Sequence, residues 1–266
     1  MNGLAVTGAA AVLLSACRLP NDSETSVESK TLVESAMLSS QEPFRALAQH
    51  WAPRFYQDTH KAFYKGDYIT RFNYDGDYVG KNNWESLDAY QSVPAYVYYA
   101  VSKTATHYFI NYSLFHPRDW DSKGIPGNQH ENDFEGLSLM IKKDGGFGTL
   151  VAMETLAHHQ FNQYAPEAGI TSGSESLDGQ VSLHGGSHPR IFVEAAGHGV
   201  FNCDARCDAA PGGDGIVYYE ADVAAEPTGG DGNWTRAYSY KLISMDADGS
   251  FDGNEGLWTR RDDICD

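Results

Sequence analysis

Four side chains that can bind a metal ion stand close together near the middle of the chain: Asp119, His130, Asp133 and Glu135. Asp133 and Glu135 are two residues apart, with Phe134 between them. In an extended strand this spacing places both carboxylates on one face and the Phe134 ring on the other. Two carboxylates on one face repel each other unless a cation or a proton lies between them. The spacing therefore indicates a site that binds positive charge.

The apolar segments on either side indicate how Asp119 could lie next to this pair. We predict strands over 106–115 and 134–141, with an irregular loop over 120–129. A hairpin-like return would bring Asp119 to the start of the second strand. Three carboxylates and one imidazole suit a hard divalent cation, and Mg²⁺, Mn²⁺ or Ca²⁺ fits them better than Zn²⁺. The alternative is that Asp119 only forms a turn, since it follows Pro117 by two residues.

Two segments of this region carry a family resemblance. Residues 129–135 read QHENDFE and residues 112–119 read YSLFHPRD. The first resembles the heptapeptide GHRHDWE of the necrosis- and ethylene-inducing-like proteins, a family of secreted cytolysins, and the second resembles the YxWYxPKD strand of that family. The resemblance implies a β-sandwich with a divalent cation at one end. The family's metal-site positions fall on these residues of the present chain: Asp119, His130, Asp133 and Glu135.

Further segments extend the resemblance, and some positions depart from it. Residues 156–161 (LAHHQF) are similar to the SAHGGY strand end of the family. Residues 188–199 (HPRIFVEAAGHG) look like a strand of the related vacuolar-sorting-associated proteins. Within the heptapeptide, Glu131 replaces Arg, Asn132 replaces His and Phe134 replaces Trp. The resemblance therefore implies the metal site, and the plant-toxin activity is not carried over.

Histidines are candidates for chemistry beside the metal site. His158 follows a strand predicted over 149–156, and His198 lies between Gly197 and Gly199. Small flanking residues let another backbone or a ligand approach closely. Imidazole is the usual general base near neutral pH, so we take His158 as the first catalytic candidate and His198 as the second. For each of them the alternative is a surface or packing residue.

The remaining chain favours a mainly β fold. It contains 16 Tyr, 12 Phe and 27 Gly, which suits strands joined by many turns. We predict a helix over 41–51, a loop at 82–85 and a long polar excursion at 162–187. Other strands are predicted to begin at Arg54 and to cover 95–101, 191–195, 215–219 and 234–244. Together these elements predict one β-sandwich domain over 43–266, with short peripheral helices and long loops.

The N-terminal residues indicate export. Residues 1–17 form an apolar leader that ends in Leu14-Ser15-Ala16-Cys17, which resembles a bacterial lipobox, and Cys17 would carry the lipid. The alternative is an ordinary secretory signal. Residues 18–42 are polar and predict a disordered tether. We expect an outer-membrane lipoprotein of the bacterial cell envelope, or a secreted protein, that reaches the membrane through Cys17.

The other cysteines predict one disulfide bond. In an exported protein Cys203, Cys207 and Cys265 form one pair and leave one thiol. The pairs Cys203–Cys207 and Cys207–Cys265 both remain open. A zinc site would need a further ligand of the right type.

The charge of the chain limits its partners. The 266 residues carry a formal net charge of −17. Such a chain is repelled by phosphate backbones, so we expect no nucleic-acid partner. We also expect a monomer.

Three functional hypotheses remain. In the first, the cation joins the acidic site to sugar hydroxyls or a lipid head group, as in a binding module or a cytolysin-like protein. In the second, the protein is a metal-dependent hydrolase or lyase that acts on a glycan or phosphoester, with His158 as general base. In the third, the cation only stabilises a cell-envelope protein.

Overall fold

A computed structural model of the chain describes residues 44–90, 92–120, 129–167, 177–204, 207, 215–228 and 236–245. The predicted leader with Cys17, the tether over 18–42 and Cys265 lie outside these residues. Among the residues described, no helix has both the length and the apolar character that a membrane span requires.

The described residues are mostly β-strand, which confirms the predicted fold class. The strands are β1 (Arg54–Asp58), β2 (Tyr96–Lys103), β3 (His107–Asp119), β4 (His130–Lys142), β5 (Thr149–Ala157), β6 (Gln160–Ala165), β7 (Gly179–Gln180), β8 (Leu183–His184), β9 (His188–Val193), β10 (Val200–Asn202), β11 (Gly215–Glu220) and β12 (Ala237–Ser244). The helices are α1 (44–50), a 3₁₀ helix (Tyr64–Asp67) and α2 (Asn83–Ala89).

The strands form a single sheet that curls over. Their order is β10-β9-β1-β11-β12-β2-β3-β4-β5-β6-β7, and β8 pairs with β9. β10 stands at one end of this order, yet it also contacts β4 and β5 in the other half. The two halves of the sheet therefore face each other and enclose the core between them, in agreement with the predicted sandwich.

Tyrosines account for much of the core, and two of their hydroxyls make buried hydrogen bonds to backbone carbonyl groups. Tyr112 and Tyr240 are completely buried, and their hydroxyls donate to the carbonyl oxygens of Ala48 and Pro53, each at 2.7 Å. Each hydroxyl accordingly keeps a hydrogen bond while its ring buries apolar surface, which avoids the cost of an unpaired buried polar group. The first contact ties β3 to α1, and the second ties β12 to the segment between α1 and β1.

The hairpin of β3 and β4 carries the centre of the molecule. Its register pairs Asp119 with His130 and His116 with Asp133. The two strands pair over most of their length, so the last residues of β3 and the first residues of β4 lie side by side. This is the return that the sequence predicts for Asp119.

One predicted loop is wrong. Residues 82–85 were expected to be irregular, but α2 begins at Asn83 and continues to Ala89. Leu87 is buried, and the Asn83 amide donates to the Asn132 side chain at 2.6 Å. Because a helix this short is stabilised mainly by tertiary packing, its local sequence gives little signal.

Two other regions add detail to the predictions. The polar excursion at 162–187 contains the end of β6 and the short strands β7 and β8, and residues 168–176 lie outside the described ranges. Cys203 is bonded to Cys207, which is one of the two pairs left open by the sequence.

Candidate functional site

The open end of the β3–β4 hairpin brings an acid and an imidazole together. Asp119 Oδ2 lies 3.3 Å from His130 Nε2, as expected for residues opposite each other in the register. His130 Nδ1 lies 3.0 Å from the Glu131 carbonyl oxygen. If Nδ1 carries the proton for that contact, the Nε2 lone pair faces a carboxylate, so a proton or a cation must lie between them.

Asp133 adds a second carboxylate to this pair. One ligand atom from each of Asp119, His130 and Asp133 lies within 4.8 Å of the others. Asp133 is buried, whereas the side chains of Asp119 and His130 are partly exposed. The group therefore combines one buried carboxylate with two side chains that solvent can reach.

Glu135 is a buried carboxyl group that lacks a full set of partners. It is 7% exposed, and its Oε1 accepts a hydrogen bond from the His158 backbone N–H at 2.8 Å. Its Oε2 has no hydrogen-bond partner among the described residues. Burial, together with the charge of Asp133, raises the pKa of Glu135 to about 8. The group therefore either holds a proton near neutral pH or needs a cation beside it.

Asp133 is held in place by a buried histidine. His198 is completely buried, and its Nδ1 donates to Asp133 Oδ2 at 2.8 Å while its Nε2 donates to Asp67 Oδ1 at 3.2 Å. Burial alone would lower the pKa of His198, but the hydrogen bonds and charges of Asp133 and Asp67 outweigh it and raise the pKa to about 10. His198 is therefore an imidazolium ion between two carboxylates at neutral pH. These contacts fit a positioning role better than proton exchange with a substrate.

Asp67 connects this ion pair to the backbone. Its carboxylate also accepts hydrogen bonds from the backbone N–H groups of His60 and Ala196, each at 2.7 Å. Asp67 belongs to the 3₁₀ helix and is completely buried. Its three contacts join the segment before β2 to the loop after β9, and they fix the position of His198.

A second group of possible ligands is already engaged. One ligand atom from each of His116, Asp133 and His198 lies within 4.8 Å of the others. The rings of His116 and His198 stack with centroids 3.7 Å apart and nearly parallel. Burial, and then the charge of His198, lower the pKa of His116 well below its usual value, so His116 stays neutral. Because both His198 nitrogens donate to carboxylates, this group lacks the lone pair on His198 that a metal would need.

His158 stands at the mouth of the site. Its side chain is half exposed, with Nδ1 3.8 Å from Glu135 Oε1 and Nε2 3.4 Å from Glu194 Oε2. A Cβ atom added at Gly197 would come within 2.8 Å of the His158 ring. The small residues predicted to allow a close approach at this loop therefore make room for His158 itself.

Left-handed backbone conformations concentrate around the site. The non-glycine residues with positive φ in the described ranges are Asn132, His158, Ala196 and His198. Such conformations cost free energy and persist only where the surrounding contacts impose them. All of them lie next to or within the acid–imidazole cluster, as functional sites often show.

The sequence located part of this arrangement. Asp119, His130 and Asp133 lie in one group of ligand atoms, whereas Glu135, two residues further along β4, lies outside that group. His158 lies beside Glu135. The prediction missed Asp67, His116 and Glu194. His116 left the stronger signal, since it lies in the 112–119 motif and opposite Asp133 in the hairpin. Asp67 and Glu194 reach the site through tertiary contacts alone.

Comparison with known proteins gives distant structural neighbours. No family model and no curated protein matches the chain. Solved structures that resemble it include the non-toxic HaNLP3 protein, with 16% identity, a TM-score of 0.44 and coverage of 80% of this chain and 82% of that chain. Another is NLPPya in complex with glucosamine, with 18% identity, a TM-score of 0.41 and coverage of 79% and 80%. A third is described as a toxin fold for microbial attack and plant defense, with 16% identity, a TM-score of 0.40 and coverage of 79% and 81%.

These names refer to necrosis- and ethylene-inducing proteins, the group that the sequence motifs resemble. Similarity at these values decides nothing about activity, so the function proposed for this chain has to come from its own side chains.

Proposed function

We propose that this chain is an exported, divalent-cation-dependent binding protein of the necrosis- and ethylene-inducing-like kind. Asp119, His130, Asp133 and Glu135 would hold the cation, and Mg²⁺, Mn²⁺ or Ca²⁺ suits these ligands. When bound, the cation supplies a point of positive charge to which sugar hydroxyls or a lipid head group can coordinate.

The observation that carries the proposal is the buried carboxyl group of Glu135. Its Oε2 has no hydrogen-bond partner among the described residues, and its raised pKa reflects burial beside Asp133. Two neighbouring carboxyl groups are rarely buried with one oxygen atom unpaired unless a cation or a proton binds there. Asp119 and His130, which form one group of ligand atoms with the neighbouring Asp133, are partly exposed to solvent.

The composition of the site supports a neutral ligand. The chain carries a net charge of −17, and three of the proposed ligands are carboxylates. An anionic ligand would meet a repulsive field unless the cation offset it. Sugar hydroxyls bind hard cations without adding charge, so a glycan or the sugar part of a head group fits best. We further propose that lipidation of Cys17 holds the protein at the cell envelope, with secretion as the alternative.

Calorimetric titration with methyl glucoside, a neutral sugar, tests the proposal. We expect binding in Mg²⁺ that disappears in EDTA and in Asp119→Asn. Glu154→Gln, which changes a carboxylate of β5 that contacts Gln163, should bind as wild type does. Sugar binding that persists in EDTA would show that the cation is not required for it. Metal binding that raises the melting temperature without sugar binding would leave the cation a structural role only.

A second candidate is an enzyme, and one observation favours it. His158 is half exposed, lies between Glu135 and Glu194, and adopts a left-handed backbone conformation. A histidine held in this way at a cation site can accept a proton, as a hydrolase or lyase acting on a glycan or phosphoester would need. Turnover on glycans and phosphodiesters that is lost in His158→Ala while Mn²⁺ binding is retained would support the enzyme. The absence of turnover on both substrate classes would leave the binding function.

A further inference from the structure

An exposed aromatic ring packs against Trp120, the residue that follows Asp119. Phe63 is 59% exposed, although its neighbours Tyr64, Gly66 and Asp67 are at least partly buried. A single exposed apolar side chain is ordinary. Phe63 differs because other aromatic groups hold its ring in place.

Two aromatic side chains support the Phe63 ring. The ring stacks on His60 at 5.5 Å between centroids and meets the edge of Trp120 at 5.0 Å. His60 itself makes an edge contact with Trp120 at 4.4 Å. Aromatic pairs at these separations are attractive in both geometries. The cluster of His60, Phe63 and Trp120, called here the aromatic platform, is therefore a built surface.

The aromatic platform is fixed to the same backbone as the cation site. Trp120 directly follows Asp119, and its backbone N–H donates to the Ala196 carbonyl oxygen at 3.2 Å. The His60 N–H donates to Asp67, which holds His198. Gly66 leaves room for the Trp120 ring, since a Cβ atom there would come within 2.8 Å of Trp120 Nε1. The platform and the acid–imidazole cluster thus share Asp67 and Ala196 as common supports.

We propose that the Phe63 face of this platform stacks against the C–H face of a sugar ring whose hydroxyls reach the neighbouring cation site. An aromatic face carries partial negative charge, and the C–H groups on one face of a hexose carry partial positive charge. The opposite edges of such a ring carry hydroxyls. Aromatic walls combined with a few polar groups are typical of small-molecule sites.

The charges around Phe63 favour a sugar over a membrane surface. The platform adjoins Asp119 and Asp67 in a chain of net charge −17. Anionic lipid surfaces repel such a face, and one phenylalanine ring supplies little insertion energy by itself. A neutral sugar ring has no such penalty.

This inference rests on the proposed function and names a contact residue for it. Saturation-transfer NMR with methyl glucoside, followed by titration in Mg²⁺, measures the contact. We expect about tenfold weaker binding for Phe63→Ala, as loss of one aromatic contact predicts. Phe63→Leu keeps the apolar surface but loses the aromatic face. Its sugar binding should therefore weaken to a similar degree. Phe63→Trp should bind at least as tightly as wild type.

A matched control is available in Phe147. It is 43% exposed and lies in the turn between β4 and β5, at the far end of β4 from His130. Phe147→Ala should leave sugar binding unchanged. Since Phe63 is exposed, none of its variants is expected to disturb folding, and equal melting temperatures would verify this.

The outcomes separate this inference from the proposed function. Wild-type affinity in Phe63→Ala or in Phe63→Leu overturns the aromatic contact, whatever Asp119→Asn does. Loss of binding to phosphatidylcholine vesicles in Phe63→Ala, with sugar binding intact, overturns it in favour of a lipid contact. If Phe63→Ala loses sugar binding while Asp119→Asn keeps it, the aromatic contact stands and the role of the cation falls. No saturation transfer from the wild-type protein to methyl glucoside overturns both.

Discussion

His198 Nδ1 lies 2.8 Å from Asp133 Oδ2, deep inside the protein, and this contact joins a positive group to a proposed metal ligand. The other nitrogen of His198 donates to Asp67. The carboxylate of Asp133 is therefore oriented before any ligand arrives. Such orientation by a neighbouring group is a usual requirement of metal ligands.

Removal of the His198 charge should destabilise the protein strongly. His198→Asn suits the left-handed backbone at this position, where φ is 52°, but it leaves Asp67 and Asp133 without their cation. Loss of one partner from a buried ion pair costs about 3–5 kcal/mol, and denaturant unfolding measures it. His159→Ala, at an exposed residue in the β5–β6 turn, is the control and should change little. A loss below about 1 kcal/mol in His198→Asn would show that the charge is not needed.

The raised pKa of Glu135 predicts a pH dependence with a definite sign. In metal-free protein the folded state retains a proton on Glu135 from its ordinary pKa of 4.5 up to about 8, whereas the unfolded state loses it. This contribution to stability is therefore complete below pH 4.5 and is lost as the pH rises through 8. Glu135→Gln should remove that part of the pH dependence, as urea unfolding across this range would show. An unchanged profile in Glu135→Gln would assign the titration to another group.

Metal affinity should increase over the same pH range in which the stability contribution of Glu135 decreases. A cation that binds Glu135 must displace its proton, so Mn²⁺ affinity should rise as the pH increases toward 8. Electron paramagnetic resonance of free Mn²⁺ measures the affinity at each pH. Affinity that does not vary with pH would mean that the ion does not compete with this proton.

Gly136 should not tolerate a side chain. It follows Glu135 in β4, and a Cβ atom there would overlap the carbonyl oxygen of Tyr112 on β3. Because the obstacle is backbone, the two strands would have to separate next to the site. We expect Gly136→Ala to lower the free energy of unfolding by about 1–3 kcal/mol, whereas Ser138→Ala on the same strand should cost much less. Equal stabilities for these variants would contradict the close approach of β3 and β4.

The hairpin and its acids were predictable because they are local in sequence. Asp119 and His130 pair through one return of the chain, and alternation alone places Asp133 and Glu135 on one face. Asp67 could not be found in this way, because its contact with His198 spans most of the fold. From the sequence, a carboxylate in such a short polar segment is interpreted as an exposed residue. Only the tertiary packing shows that Asp67 is buried.

The contrast between local and tertiary contacts also explains why α2 and the burial of His198 were not predicted. α2 was missed because its stability comes from Leu87 and from the Asn83–Asn132 contact, and not from its own sequence pattern. His198 was recognised as important, yet its burial was not foreseen. A histidine between two glycines has no apolar periodicity that would indicate on which side of the sheet it lies.

The metal content of the purified protein tests the central claim most directly. Wild-type protein equilibrated with Mn²⁺ and desalted should retain one equivalent per chain, and Glu135→Gln, which preserves the size of the side chain, should retain little or none. Glu154→Gln should match the wild type. We predict one equivalent of Mn²⁺ per chain in the wild type and in Glu154→Gln, and loss of this metal in Glu135→Gln. Wild-type protein that retains no Mn²⁺, or equal Mn²⁺ in Glu135→Gln and Glu154→Gln, would contradict the proposed site.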